Sequence, residues 1–162
     1  MASTKAAFGT VQSMTVTNLH SLASSQTAGW QSAVVDNTTD LYLDALVQVV
    51  LDFANTAPAN DKAAYVYAYG GLDTTYTDPA SGSEGAITLT NIGTTGNNIR
   101  LIGTLAYETA DAVIESQPFS VAAAFGGVLP PKWGIVIMNY TGAALAASGN
   151  SVSYRGVYAT VA

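Results

Sequence analysis

The chain has no cysteine, one histidine at His20, and only five basic and eleven acidic side chains in 162 residues. Each shortage closes off a class of protein. Without a thiol there is no disulfide scaffold, no thiolate zinc site and no cysteine nucleophile. With a formal charge of −6 and a pI near 4.3, the chain cannot build the basic stripe that phosphate contact requires, so no nucleic-acid partner is expected. No apolar run is long enough to cross a bilayer as a helix, and no membrane partner is expected. The opening MASTKAAFGTVQS has a lysine but no apolar core behind it, so no targeting segment is expected and synthesis in the cytoplasm fits.

The shortage of charge says most. Charged residues make up 10% and hydrophobic ones 49%, where roughly a quarter charged is usual for a soluble domain. Alanine, glycine, serine and threonine fill the space, 74 residues of 162. Such a chain is too apolar for intrinsic disorder, yet it lacks the charged surface that keeps copies apart. Burial of surface in an assembly is the expected resolution, with a homotrimer as the expected form.

What is there reads as one all-β domain preceded by an arm. Residues 1–29 are rich in Ala, Ser and Thr, and only 11–19 hint at a strand, so this segment is expected to be an arm with at most one short strand, docking through Phe8, Val11 and Met14. From Trp30 onward apolar segments are separated by turn clusters. Residues 41–53 satisfy a period of two and a period of 3.6 at once. Seven unbroken alternations, Leu41 to Phe53 on one face, with three valines, select a strand whose odd positions face the core. Residues 63–69 alternate Ala64, Val66 and Ala68 with Tyr65, Tyr67 and Tyr69. Residues 86–92 and 99–107 read as a hairpin around a turn at 93–98. After a connector at 108–111 come a short strand at 112–114, a helical turn at 122–124, a buried strand at 133–140 and a closing strand at 151–161. Eight or nine short strands over 30–162, with no strand-helix alternation, predict a single-domain β-sandwich of jelly-roll type.

Few residues carry chemistry. His20 adjoins Ser21, but a nucleophile and base must converge in space with an orienting third group, so the pair is expected to be surface. The acidic groups Asp36/Asp40/Asp44, Asp73/Asp78/Glu84 and Glu108/Asp111/Glu115 do not follow a calcium-loop pattern. Residues 72–85 could hold a cation or a glycan, or be solvated turn, and no metal, cofactor or catalytic residue is assigned. Tyr65, Tyr67 and Tyr69 fit either stacking platforms for sugar or the outer, inter-subunit face of a sandwich. Trp30 and Trp133 fit either interface anchors or core residues. Asn37 and Asn139 match the glycosylation acceptor pattern, which carries no weight without a secretory signal.

The runs WQSAVVDNTT (30–39), PANDKAAYVYAYG (58–70), PFSV (118–121), PPKWGIV (130–136) and YRGVY (154–158) resemble small structural proteins of tailed bacteriophages, most closely head decoration (cement) proteins. The resemblance covers residue 30 to the end and leaves the arm uncovered. It implies a non-enzymatic protein on the capsid exterior of the virion, binding the major capsid protein and its own copies, with no catalytic residues. The alternative expectation is a receptor- or glycan-binding module of a tail or head fibre.

Overall fold

Period-two patterns in 44–52 and 63–71 build strands because alternate side chains of an extended chain fall on opposite faces. A computed structural model of the chain describes residues 3–53, 56, 58, 59, 61–73, 79–89, 98–106 and 113–161. Among the described residues it holds twelve β-strands: β1 (Thr4–Phe8), β2 (Gln12–Ser13), β3 (Ala28–Gln31), β4 (Val35–Asp36), β5 (Asp44–Asp52), β6 (Ala63–Gly71), β7 (Gly85–Thr88), β8 (Ile99–Ala106), β9 (Val113–Glu115), β10 (Phe119–Ser120), β11 (Lys132–Tyr140) and β12 (Ser151–Val161). One 3₁₀ turn, Ala122–Phe125, lies where the helical turn was expected.

The strands form two antiparallel sheets. Sheet A runs β1-β12-β5-β10, with β2 also on β12 and β9 also on β5; sheet B runs β7-β3-β11-β6-β8, with β4 also on β11. Several short pieces are collinear. Phe8 pairs with Val157 and Gln12 with Tyr154, and the Gly9 N–H donates to the Gly156 carbonyl between them at 2.8 Å. β3 and β4 follow one another along β11 in the same way, and β9 and β10 along β5. Counting collinear pieces as one leaves eight long strands and the edge strand β7. The first then lies beside the eighth, the second beside the seventh, the third beside the sixth and the fourth beside the fifth.

The core fills the space between the sheets. Ala45, Val47, Val49 and Leu51 from β5 meet Trp30, Val66, Ile135 and Ile137 from sheet B, all fully buried. The odd face of β5 is therefore the core face, as its alternation predicts. The expectation fails at its start: Leu41 and Leu43 are 70% and 58% exposed. Asn37 explains this, since its side chain donates to the Tyr42 carbonyl and accepts from the Tyr42 N–H, both at 2.9 Å, closing a turn in which Leu41 takes a left-handed φ of 53°. The strand begins only beyond that turn.

The outer face of sheet B is covered as well. Tyr67, Tyr69, Val136 and Met138 lie under a second cluster with Ala80, Ile87 and Leu89, so β6 and β11 are buried on both faces. The Tyr69 hydroxyl donates to the Ser32 carbonyl at 2.9 Å. Sheet A has no such cover among the described residues.

Two further expectations are corrected. The segments 86–92 and 99–107 do not form a hairpin: β7 pairs with β3 and β8 with β6, placing them on opposite edges of sheet B. The turn at 93–97 and the connector at 108–111 lie outside the described residues. The first 29 residues hold two short strands and the opening of a third, not at most one. They are held because β12 offers its whole free edge to main-chain pairing, and because Leu19 reaches the core, fully buried, with Met14, Val16 and Leu22 packed against it.

Candidate functional site

Most of the residues singled out in the sequence lie inside the fold. Tyr67 and Tyr69 are buried at 2% and 0% exposure, and Tyr65 packs against their cluster. Tyr67 and Tyr69 are thus neither a stacking platform nor an outer face, because they are buried in a cluster with Ala80, Ile87 and Leu89, while Tyr65 stays partly exposed at its edge. Burial raises the Tyr67 phenol above its ordinary range, and the neighbouring Tyr65 adds to this. Trp30 and Trp133 are core residues, which corrects their placement at an interface.

Trp30 shows why Glu84 matters. Its indole N–H donates to Glu84 at 2.8 Å, and the same carboxylate accepts from the backbone N–H and side-chain amide of Asn18 at 2.9 and 2.7 Å. One carboxylate joins the N-terminal segment, a core tryptophan and the approach to β7. Partial burial works to raise its carboxyl, and these hydrogen bonds outweigh it and hold it below its ordinary value. Glu84 is therefore occupied as a fastener. Asp73 is exposed, and Asp78 lies outside the described residues. No group of three or more metal-ligating side chains occurs among the described residues.

His20 accepts at Nδ1 from the Asn150 amide, 3.1 Å away. Asn139, in the second acceptor pattern, is fully buried, donating to the Leu22 and Ala143 carbonyls and accepting from the Thr141 hydroxyl. With Asn37 pinning its own turn, both asparagines serve the fold. Asp36 is exposed and ion-paired with Lys132; that contact, with the Thr38 hydroxyl and N–H, holds its carboxyl well below the usual range.

The arm residues behave differently. Phe8 and Val11 are 54% and 52% exposed, whereas Met14 is partly buried against the core. Phe8 stands opposite Val157, Ala6 opposite Ala159 and Thr4 opposite Val161, so these pairs share one face of the β1–β12 ladder. Val161 is 73% exposed. The face continues onto β5 through Leu46, paired with Arg155. There a shallow groove of about 210 Å³ runs between Val11, Leu46, Pro118 and Arg155. A second exposed apolar group gathers at one end of the sandwich, where the Leu129 N–H donates to the Leu43 carbonyl and Leu41, Leu43 and Val128 stand out.

A cleft of about 350 Å³ opens between residues 12–15 and 33–36, lined by Gln12, Thr15, Val35, Asp36 and Tyr154 among others. Tyr154 meets Trp133 edge to face at 5.0 Å, and the Trp133 indole N–H, buried behind it, has no hydrogen-bond partner. Burial, then the charge of Asp40 and the neighbouring Tyr42, raises the Tyr154 phenol.

The sequence pattern did not point to Val157, Ala159, Val161 or Leu46. The available signal was the uncharged run 156–161, whose alternate residues need cover. No family description, curated protein or solved structure matches the chain.

Proposed function

We propose that the chain is a non-enzymatic virion structural protein that binds the exterior of a phage capsid as a homo-oligomer, with a trimer as the favoured form, and stabilises the shell. The observation that carries the reading is the uncovered face of sheet A. The central strands β6 and β11 are buried on both faces, whereas the outer face of sheet A has no such cover among the described residues, and Phe8, Val11 and Val161 stand exposed on it. Large exposed apolar groups on a charge-poor surface mark contact with other proteins. The nesting of first strand with eighth and second with seventh supports the jelly-roll reading, a fold common in viral capsid proteins. A partner that binds only the assembled shell shifts the assembly equilibrium by its own binding free energy.

Purified protein added to capsids that lack their decoration should bind saturably and raise the temperature at which the shells open. No binding to any undecorated shell of the cognate phage would overturn the reading. The cleft beside Tyr154 favours a second reading, a glycan-binding module: its rim charge Asp36 is neutralised by Lys132, leaving neutral polar groups and a ring for a sugar. A glycan array discriminates, and a specific hit abolished by Tyr154→Ala would favour this alternative.

A further inference from the structure

We propose that the cleft between β2 and β4 takes an N-acetylated amino sugar, with the buried Trp133 indole N–H donating to the acetamido carbonyl and the Tyr154 ring packing on the sugar. The inference rests on the glycan reading of this cleft and not on the shell, and it adds the donor and the class of sugar.

The cleft is a gap in the side of the sandwich. Among the described residues β2 pairs with β12 alone and β4 with β11 alone, so each presents a free edge, one from each sheet. Gln12 lies opposite Tyr154 in one ladder and Val35 opposite Trp133 in the other. Gln12 and Val35 line the cleft. One strand further in, their partners Tyr154 and Trp133 meet edge to face, with ring centroids 5.0 Å apart. The space of about 350 Å³ falls in the range of small-ligand sites, roughly 300–1,000 Å³.

Trp133 carries the orphan. It is 1% exposed, and its Nε1 is the one buried side-chain polar atom without a hydrogen-bond partner among the described residues. Trp30, the other tryptophan, shows the usual outcome, since its N–H donates to Glu84. A buried indole N–H normally finds a partner, and one left without it costs stability. A ligand oxygen reaching past Tyr154 supplies the missing acceptor.

The lining selects the rest of the ligand. Asp36 is the only charged residue lining the cleft among those described, and Lys132 pairs with it. Asp40 acts on Tyr154 through its charge, so an anionic ligand is disfavoured and a neutral one fits. Met14, Val34 and Val35 are apolar and half-buried, whereas Ser13 and Thr15 offer hydroxyls at the exposed rim. A buried N–H beside apolar side chains calls for a strong acceptor carried next to a methyl group, and an acetamido group is that combination. Ring hydroxyls then meet the polar rim, and a sugar face meets the Tyr154 ring.

Nuclear magnetic resonance of the ¹⁵N-labelled protein reads the donor directly, because the chain has two indole N–H groups. Trp133→Phe assigns its signal by loss, or Trp30→Phe by elimination where the first does not fold. Titration of the unsubstituted protein with N-acetylglucosamine or N-acetylgalactosamine should move the Trp133 signal downfield and leave the Trp30 signal in place. Glucose, which lacks the acetamido group, should bind at least about tenfold more weakly, because it leaves the donor unpaired. Tyr154→Ala should abolish binding of all three. A Trp133 signal that neither N-acetylated sugar moves would leave the N–H against the Tyr154 ring and overturn the inference. A glycan-array hit on another sugar would then keep the glycan reading standing, and an array without a hit would end both.

Discussion

At the scale of single residues, the fold depends on side chains whose neighbours leave no latitude. Val47 is fully buried between the sheets, whereas Gln48, next to it on β5, faces outward and is only half-buried. Val47→Asp places an unpaired charge in the core and should cost more than about 3 kcal/mol; Gln48→Asp should stay within about 1 kcal/mol. Urea unfolding checks the pair, and equal losses would place β5 in the wrong orientation. Gly134 is paired with Tyr69, whose ring lies across it, so a Cβ there would collide with the ring. Gly134→Ala should cost about 1–3 kcal/mol as the ring is displaced. Adding Tyr69→Leu removes the obstacle, so the double variant should lose less than the two single losses added together. Glu84 makes a pH-dependent contribution. Its carboxyl is held below the ordinary range in the folded state, so its stabilisation is present above the unfolded value and is lost as pH falls through the folded one. Replacing it by Gln should flatten the acid limb of the stability curve, and an unchanged limb would deny its role as a fastener.

At the scale of elements, residues 3–13 and residues 14–22 contribute by different physics. The first stretch pairs by main chain along β12 and buries no side chain; the second places Leu19 in the core and Asn18 on Glu84. Deleting residues 1–13 should therefore lower the melting temperature modestly. Deleting 1–22 removes the Leu19 side chain, by itself worth about 2–5 kcal/mol, and should lower it by several degrees more. Equal shifts would mean that main-chain pairing, not Leu19, anchors the segment. The same contrast explains how far the sequence could be read. Alternation in 44–52 and 63–69 predicted strands correctly because period two is a local consequence of extended backbone. It could not say which face of β6 was inside, since β6 is buried on both faces and Tyr67 and Tyr69 face a second cluster. Pairing partners were illegible for a related reason. β7 and β8 are close in sequence, but β7 completes the edge beside β3 and β8 the edge beside β6, a choice made by the whole sheet. Of the residues singled out for contact, Phe8 and Val11 are exposed, while the matching face of β12 appears only once the ladder is laid beside them.

At the scale of the whole molecule, the distribution of cover sets what the protein can do. The central strands of sheet B are enclosed on both sides, whereas the outer face of sheet A runs from a part bearing Asp44, Asp52, Glu115 and Arg155 to an uncharged end at Phe8, Ala159 and Val161. Contacts made through that end are governed by removal of apolar area from water, not by ion pairing. That origin has a thermodynamic signature, since apolar burial gives a negative heat-capacity change on binding. It also bears on salt: exposed charges separated by more than about 10 Å are largely screened at 0.1 M ionic strength, so an interface with few charges has little left to lose at higher salt. Binding to undecorated shells, followed by calorimetry at several temperatures, should therefore show a negative heat-capacity change. Its affinity should change by less than about threefold, roughly 0.6 kcal/mol, between 0.1 M and 1 M salt. Phe8→Ala should weaken binding if the face of sheet A meets the shell, and should leave it intact if that face is spent entirely on neighbouring copies. A steep loss of affinity with salt would move the contact from sheet A to the acidic remainder of the surface, and the assignment of the bare face to the shell would fall with it.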